Sequence, residues 1–310
     1  MNQPALQFRV VDAFAWEAFS GNPAGVILDA AGLSDAQMQA IAREINASET
    51  TFVLPPQSDA AAVRFRWFTP GVEVNFCGHA TLGAVHALLE AGRFANVLRD
   101  PGTVLPIESK SGVLTVRTEF QDHPSARCVY WLDALDATVR PCNYPAEAFA
   151  PFLGIGTDAL DERLPAVMTA DRDVIFGVRE LATLLAMRPE MQKLGEFCLR
   201  QRFRGVLVTS LETPSPTIAC QSRFFAPAAG VAEDPVTGSV HGPLGAYLVE
   251  RGQVPAVGPR TAFQCAQGEP GGRAGVVRVV VNQEADRYRA RIGGACVTTA
   301  QGTMVRPGAG

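Results

Sequence analysis

The 310-residue chain contains no Cys-x-x-Cys pair and only four histidines. Structural zinc sites of the finger and ribbon type draw on both, so that class is set aside. The seven cysteines are scattered and odd in number. They point to reduced thiols in a cytoplasm rather than to a disulfide framework. No long run of one charge sign occurs and the formal net charge is only -4, so the footprint of a nucleic-acid binder is missing. No apolar run reaches the length needed to span a bilayer. The opening MNQPALQFRVVDAF moves straight into strand-like alternation, without the pattern of a signal peptide. What remains is a chain that is 47% hydrophobic, enough for one large core or two medium ones.

What is present is a weak internal repeat. FRWFTP (65–70) and SRFFAP (222–227) both read Arg, aromatic, Phe, small residue, Pro, as strands stopped by proline. A loop and then a helix follow each: CGHATLGAVHALLEAG (77–92) and TGSVHGPLGAYLVERG (237–252). Both helices close on Gly, a stop signal, and Pro243 marks either a first turn or a kink in the second. Upstream, SDAQMQAIAREIN (34–46) reads as an amphipathic helix with Ser34 as N-cap, leading into the strand ETTFVLP. PEMQKLGEFCLRQRF (189–203) reads as a helix leading into GVLVTS. VLTVRT and VVRVVV supply further strands. Two copies of a long unit fit two similar α+β domains, with a cleft between them as the default ligand site. The boundary is expected near FQDHPSARC (120–128), whose composition is turn-forming.

Helices that begin in glycine-containing turns present free N–H groups, which suit a carboxylate. Superposing the halves sets Cys77 against Thr237 and His79 against Ser239. A two-thiol racemase needs a second cysteine where Thr237 stands, so Cys77 is expected to be a bystander. Two acids break the repeat. Glu49 opens an otherwise apolar strand where the other half has Gly or Val, and partial desolvation there suits acid–base work. Asp234 lies on a loop three residues longer than its counterpart, which is expected to carry an apolar or amide residue.

These residues resemble the phenazine-biosynthesis isomerase family, the PhzF-like proteins. The resemblance rests on SGNPAGVIL (20–28), NASETTFV (46–53), FTPGVEVNFCGHATLGAVH (68–86), AEDPVTGSVHGPLGAYL (232–248) and QGEPGGRAGVVRV (267–279), in that order. It implies the α+β fold of diaminopimelate epimerase. That fold has two pseudo-symmetric domains, each a strongly curved, mostly antiparallel sheet around a central helix, with the active site between them. The domains implied are 1–122, with the catalytic Glu and first central helix, completed by 297–310, and 123–296 with the second. Carried over, Glu49 is the catalytic acid–base group, with His79 and Asp234 supporting it. Asn22, Gly78, Thr237, Gly238 and Ser239 bind substrate, the two glycines through their backbone.

The expectation is a cytoplasmic, homodimeric isomerase that needs neither metal nor cofactor. It moves a proton on a small carboxylate-bearing, unsaturated substrate and has no nucleic-acid or membrane partner. The alternatives are an amino-acid epimerase or racemase, and a non-catalytic member of the fold that binds a small molecule or a protein. Substrate selectivity is sought at His241 and in the loops PCNYPAEAF and PAVMTADRD.

Overall fold

The computed structural model describes residues 5–100, 102–120, 128–269, 272–284 and 287–308. Most of the expected boundary stretch (121–127) and two residues of the QGEPGG motif (270–271) lie outside that set. The chain divides into two compact units, Met1–Asp133 with Gly293–Gly310, and Ala134–Ile292. The fold is mixed α+β with few long helices and strongly curved sheet.

In the first unit, strand Leu6–Ala13 pairs antiparallel with Asn22–Ile27 on one side and with the C-terminal strand Arg287–Met304 on the other. Asn22–Ile27 runs parallel to Glu49–Leu54, placing Ala24 opposite Glu49. Glu49–Leu54 is antiparallel to Val63–Phe68, which is parallel to Leu105–Ser109. The hairpin partner Gly112–Phe120 and then Cys128–Asp136 follow, and Cys128–Asp136 pairs in turn with the C-terminal strand. The strands thus curl round one helix, Gly78–Glu90, ten of whose 13 residues are buried. Such a helix carries no polar face, as expected of one enclosed by protein.

The second unit repeats this order. Asp173–Gly177 runs parallel to Gly205–Ser210, which is antiparallel to Ile218–Ala226. That strand is parallel to Arg260–Gly268, which forms a hairpin with Ala274–Glu284. The enclosed helix is Gly238–Glu250. A Cβ on Gly245 would sit 2.6 Å from Val279 Cγ1, so only glycine lets this helix lie so close to its sheet. Pro243 is neither in the first turn nor outside the helix: it lies in the interior. Having no N–H, it cannot bond the carbonyl four residues before it, that of Ser239.

The helix between the paired strands forms for local reasons. Asp35–Ile45 begins with a full capping box, in which the Ser34 hydroxyl accepts from the Gln37 N–H and the Gln37 side chain accepts from the Ser34 N–H. It ends at Asn46 in the left-handed conformation. Its counterpart Met191–Gln201 stops the same way at Arg202.

A polar clamp that the motif reading did not single out is also duplicated. Arg66 forms a bidentate pair with Glu73, seven residues on, at 2.7 and 2.8 Å. Arg223 forms the same pair with Glu233, ten residues on, at 2.8 Å for both bonds. The three extra residues are the longer loop of the second half. Register then fixes the next position: Val74 faces Trp67 and Asp234 faces Phe224. The apolar counterpart expected for Asp234 is therefore Val74.

Arg223 is nearly fully buried and also donates to the Leu184 and Met187 carbonyls. Removing one partner of such a pair strands the other. Arg223→Leu should lower the unfolding free energy by about 3 kcal/mol or more in urea titration. A loss below about 1 kcal/mol, the range of a surface ion pair, would show that the clamp is dispensable.

Candidate active site

Glu49 is the first residue of its strand, with a side chain 18% exposed. The turn just before it is tied down: the Ser48 hydroxyl lies 2.9 Å from Asn22 Oδ1 and 3.1 Å from the Pro23 carbonyl. Asn22 is buried, so it acts on the backbone that carries Glu49. On the enclosed helix, Cys77 is the N-cap, Gly78 the first helical residue and His79 the second. Thr51 ties the strand to this helix by donating to the Ala80 carbonyl at 3.0 Å.

The result is a short polar chain. Glu49 Oε2 lies 3.4 Å from His79 Nε2. On the far side of the ring, Cys77 Sγ lies 3.4 Å from Nδ1. Burial pushes the His79 pKa down to about 4, against a weaker upward pull from a backbone hydrogen bond at Pro23. The imidazole is therefore neutral at physiological pH. Among the described residues, Glu49, Cys77 and His79 are the one set of three His, Cys, Asp or Glu side chains whose ligand atoms, all within 4.8 Å of one another, could hold a metal ion. A ring binds a metal through a single nitrogen, and here the thiol and the carboxylate face different nitrogens.

In the second unit the N-cap of the enclosed helix is Thr237, followed by Gly238 and Ser239. The Thr237 hydroxyl does not cap the helix, because it donates to Asp234 Oδ2 at 2.5 Å. Gln267, fully buried, clamps this turn. Its Oε1 accepts from the Thr237 N–H at 3.0 Å, and its Nε2 donates to the Asp234 carbonyl at 2.6 Å and to Thr237 Oγ1 at 3.1 Å. Ser239 accepts from Arg204 Nη2 at 3.1 Å. Arg204 in turn makes a bidentate pair with the buried Asp173. Burial pushes the Asp173 carboxyl upward and Arg204 pulls it back. Arg204 precedes its strand as Ser48 precedes Glu49. Asp173 faces Gly205 as Ala24 faces Glu49.

The predicted residues thus fall into two sets. Asn22, Glu49, Gly78 and His79 gather in one unit; Asp234, Thr237, Gly238 and Ser239 gather in the other. Sequence reasoning missed Gln267, although it opens a quoted motif, and it missed Arg204 and Asp173, which no local pattern pairs. Two selectivity expectations change. His241 is buried in the helix, with Nδ1 2.8 Å from the Thr237 carbonyl, so it braces the N-cap as Thr81 braces Cys77 at 2.6 Å. The loops PCNYPAEAF and PAVMTADRD do meet, around a cavity of about 570 Å³ lined by Arg140, Tyr144, Met168 and Arg172, but no predicted site residue lines it.

Comparison with known proteins gives the context for this geometry. The family model of phenazine biosynthesis-like proteins matches residues 11–302. An uncharacterized isomerase of Pseudomonas aeruginosa is 41% identical over 255 residues, covering 79% of this chain and 82% of that protein. The trans-2,3-dihydro-3-hydroxyanthranilate isomerase of the same organism is 34% identical over 257 residues, covering 80% and 82%. The crystal structure of a PhzF-family protein from Bacillus anthracis superposes with a TM-score of 0.86 at 29% identity, covering 98% of this chain and all of that one.

Burial also lowers the His241 pKa to about 4. The unfolded chain, with histidines near 6.5, binds more protons than the folded one between about pH 6.5 and 4. The stability that depends on these neutral rings is complete above about pH 6.5 and is lost as pH falls toward 4. Urea midpoints should drop across that window, and His241→Asn should flatten the decline. An unchanged slope in that variant would mean that His241 is not buried neutral.

Proposed function

The chain belongs to the phenazine biosynthesis-like protein family, and from that membership and the Glu49–His79 pair we propose an isomerase that shifts a proton along a small, unsaturated, carboxylate-bearing substrate without a cofactor. Glu49 takes a proton from a carbon acidified by neighbouring unsaturation and returns the same proton to another carbon on the same face. The carboxylate is regenerated at the end of each cycle, so one base suffices. His79 orients Glu49 in the first unit, and Asp234 holds the Thr237 hydroxyl in the second. The helix starts at Gly78 in the first unit and at Gly238 and Ser239 in the second, neither capped by the N-cap side chain, each suit an anionic group and charge that develops in a transition state, while Asn22 and Thr237 hold the turns beside them.

The single observation that carries this reading is a partly exposed carboxylate 3.4 Å from a buried neutral imidazole at a helix N-terminus. Two-thiol racemisation is disfavoured, because Thr237 stands where the second thiol is needed and its hydroxyl is committed to Asp234. A non-catalytic binder would have no use for a carboxylate beside an imidazole. The cytoplasmic assignment is supported by seven cysteines that are all free. The homodimer rests on the family resemblance alone.

The first substrate to offer is trans-2,3-dihydro-3-hydroxyanthranilate, on which the 34% identical relative is named as acting, followed by other small unsaturated amino and hydroxy acids. On any that turns over, Glu49→Gln should lower kcat by about 10²-fold or more while leaving the melting temperature in place. A Glu49→Gln protein that isomerises at the wild-type rate would remove Glu49 from the chemistry.

A further inference from the structure

The cavity between the loops PCNYPAEAF and PAVMTADRD lies wholly within the second unit, away from every candidate site residue. Its volume of about 570 Å³ falls in the range of pockets that hold small ligands. Local pairing builds it. Arg140 lies directly opposite Met168 in an antiparallel register, which puts both side chains on one face of the sheet. The turn after Met168 carries Arg172 in the left-handed region, at φ 65°, and the Arg172 N–H closes that turn on the Thr169 carbonyl at 3.0 Å.

The polar groups of the cavity are nearly all donors. No acid is among its lining residues. Arg140 has no ion-pair or hydrogen-bond partner among the described residues. Arg172 is held but not neutralised. Its Nε and Nη2 donate to the Arg202 and Gln201 carbonyls, the second at 2.8 Å, where the helix Met191–Gln201 ends. These bonds fix the guanidinium beside the Phe203 ring, 6.0 Å from the centroid, and leave Nη1 unspent. Tyr144 donates its hydroxyl hydrogen to Gln201 Oε1 at 2.6 Å, so the Gln201 amide has its NH₂ group left to offer. Two positive charges and a further donor thus share one concave site with no carboxylate to meet them. Met168, Tyr144 and Phe203 supply its apolar wall.

We propose that this cavity binds a small aromatic oxyanion, a ring bearing a carboxylate or a phosphate. The oxygens bond Arg140, Arg172 and the Gln201 amide, and the ring lies against Met168 and Tyr144. Guanidinium forks match either oxyanion. The site does not depend on Glu49 or on the proton transfer proposed for it.

Met168 supplies a probe inside the cavity. The chain has six methionines, so in protein labelled with ¹³C-methyl methionine the Met168 signal is assigned as the one lost in Met168→Leu. Benzoate and phenyl phosphate are titrated separately, with benzamide as the neutral match for benzoate and inorganic phosphate as the ringless match for phenyl phosphate. The Met168 methyl should shift saturably with at least one of the two ring oxyanions, half-saturating at about 1 mM or below. The tighter of the two identifies the oxyanion. Benzamide should bind about tenfold more weakly or not at all. Arg140→Gln removes a charge that braces nothing in the fold, and it should weaken binding about tenfold or more at an unchanged melting temperature. Glu49→Gln and Ser239→Ala should leave the titration unaltered, which separates this cavity from any anion held at the helix starts. A Met168 methyl unmoved by both ring oxyanions at about 10 mM, an equal response to benzamide, or binding indifferent to Arg140→Gln overturns the proposal. So does inorganic phosphate binding as tightly as phenyl phosphate with no response to benzoate, since the apolar wall would then contribute nothing.

Discussion

A helix enclosed by its own sheet cannot turn its first N–H groups to water. That constraint organises both units of this protein. Each central helix starts with glycine after an N-cap whose side chain declines to cap. The polar demand of the helix start is therefore left for something else to meet. Around each start the fold gathers the buried polar residues it can least easily place: His79, Asn22 and Thr51 in one unit, Gln267, Asp173 and Thr237 in the other. Buried polar groups are tolerated only when partnered, so these clusters come as networks and not as single residues.

The duplicated frame separates what recurs in the two units from what differs. The Arg–Glu clamps, the parallel strand pairs, the 13-residue helices and the braces on the N-cap carbonyls recur in both units. The residues that differ are those at the helix starts and on the strand beside them. Glu49 answers to Gly205, Ser48 to Arg204, His79 to Ser239 and Cys77 to Thr237. One unit places a carboxylate next to an imidazole. The other places a guanidinium next to a hydroxyl that can still donate.

How far this could be read from sequence follows the range of the interactions. Ser34 capping, the glycine stops, the alternating strands and the repeat were legible because each depends on residues close in the chain. Glu49 and Asp234 were legible because they violate the repeat. Arg204 and Asp173 were not, because they meet only when two parallel strands align. Gln267 sits in a recognisable motif, but its role lies 30 residues from the turn it clamps. His241 looked like a candidate for selectivity because histidine suggests chemistry, whereas its place in the helix interior makes it a brace.

The C-terminal strand carries a consequence for the order of assembly. Leu6 pairs with Met304 and Ala13 with Cys296, so the first unit lacks a strand until residues 296–304 have been made. The second unit is one continuous segment, Ala134–Ile292, and all its partners are available earlier. The half of the chain made first is thus the half finished last, since loop closure over such a separation is slow compared with local pairing. During that interval the strand Leu6–Ala13, paired with Asn22–Ile27 on one side, keeps its other edge open, the kind of edge that templates mispairing.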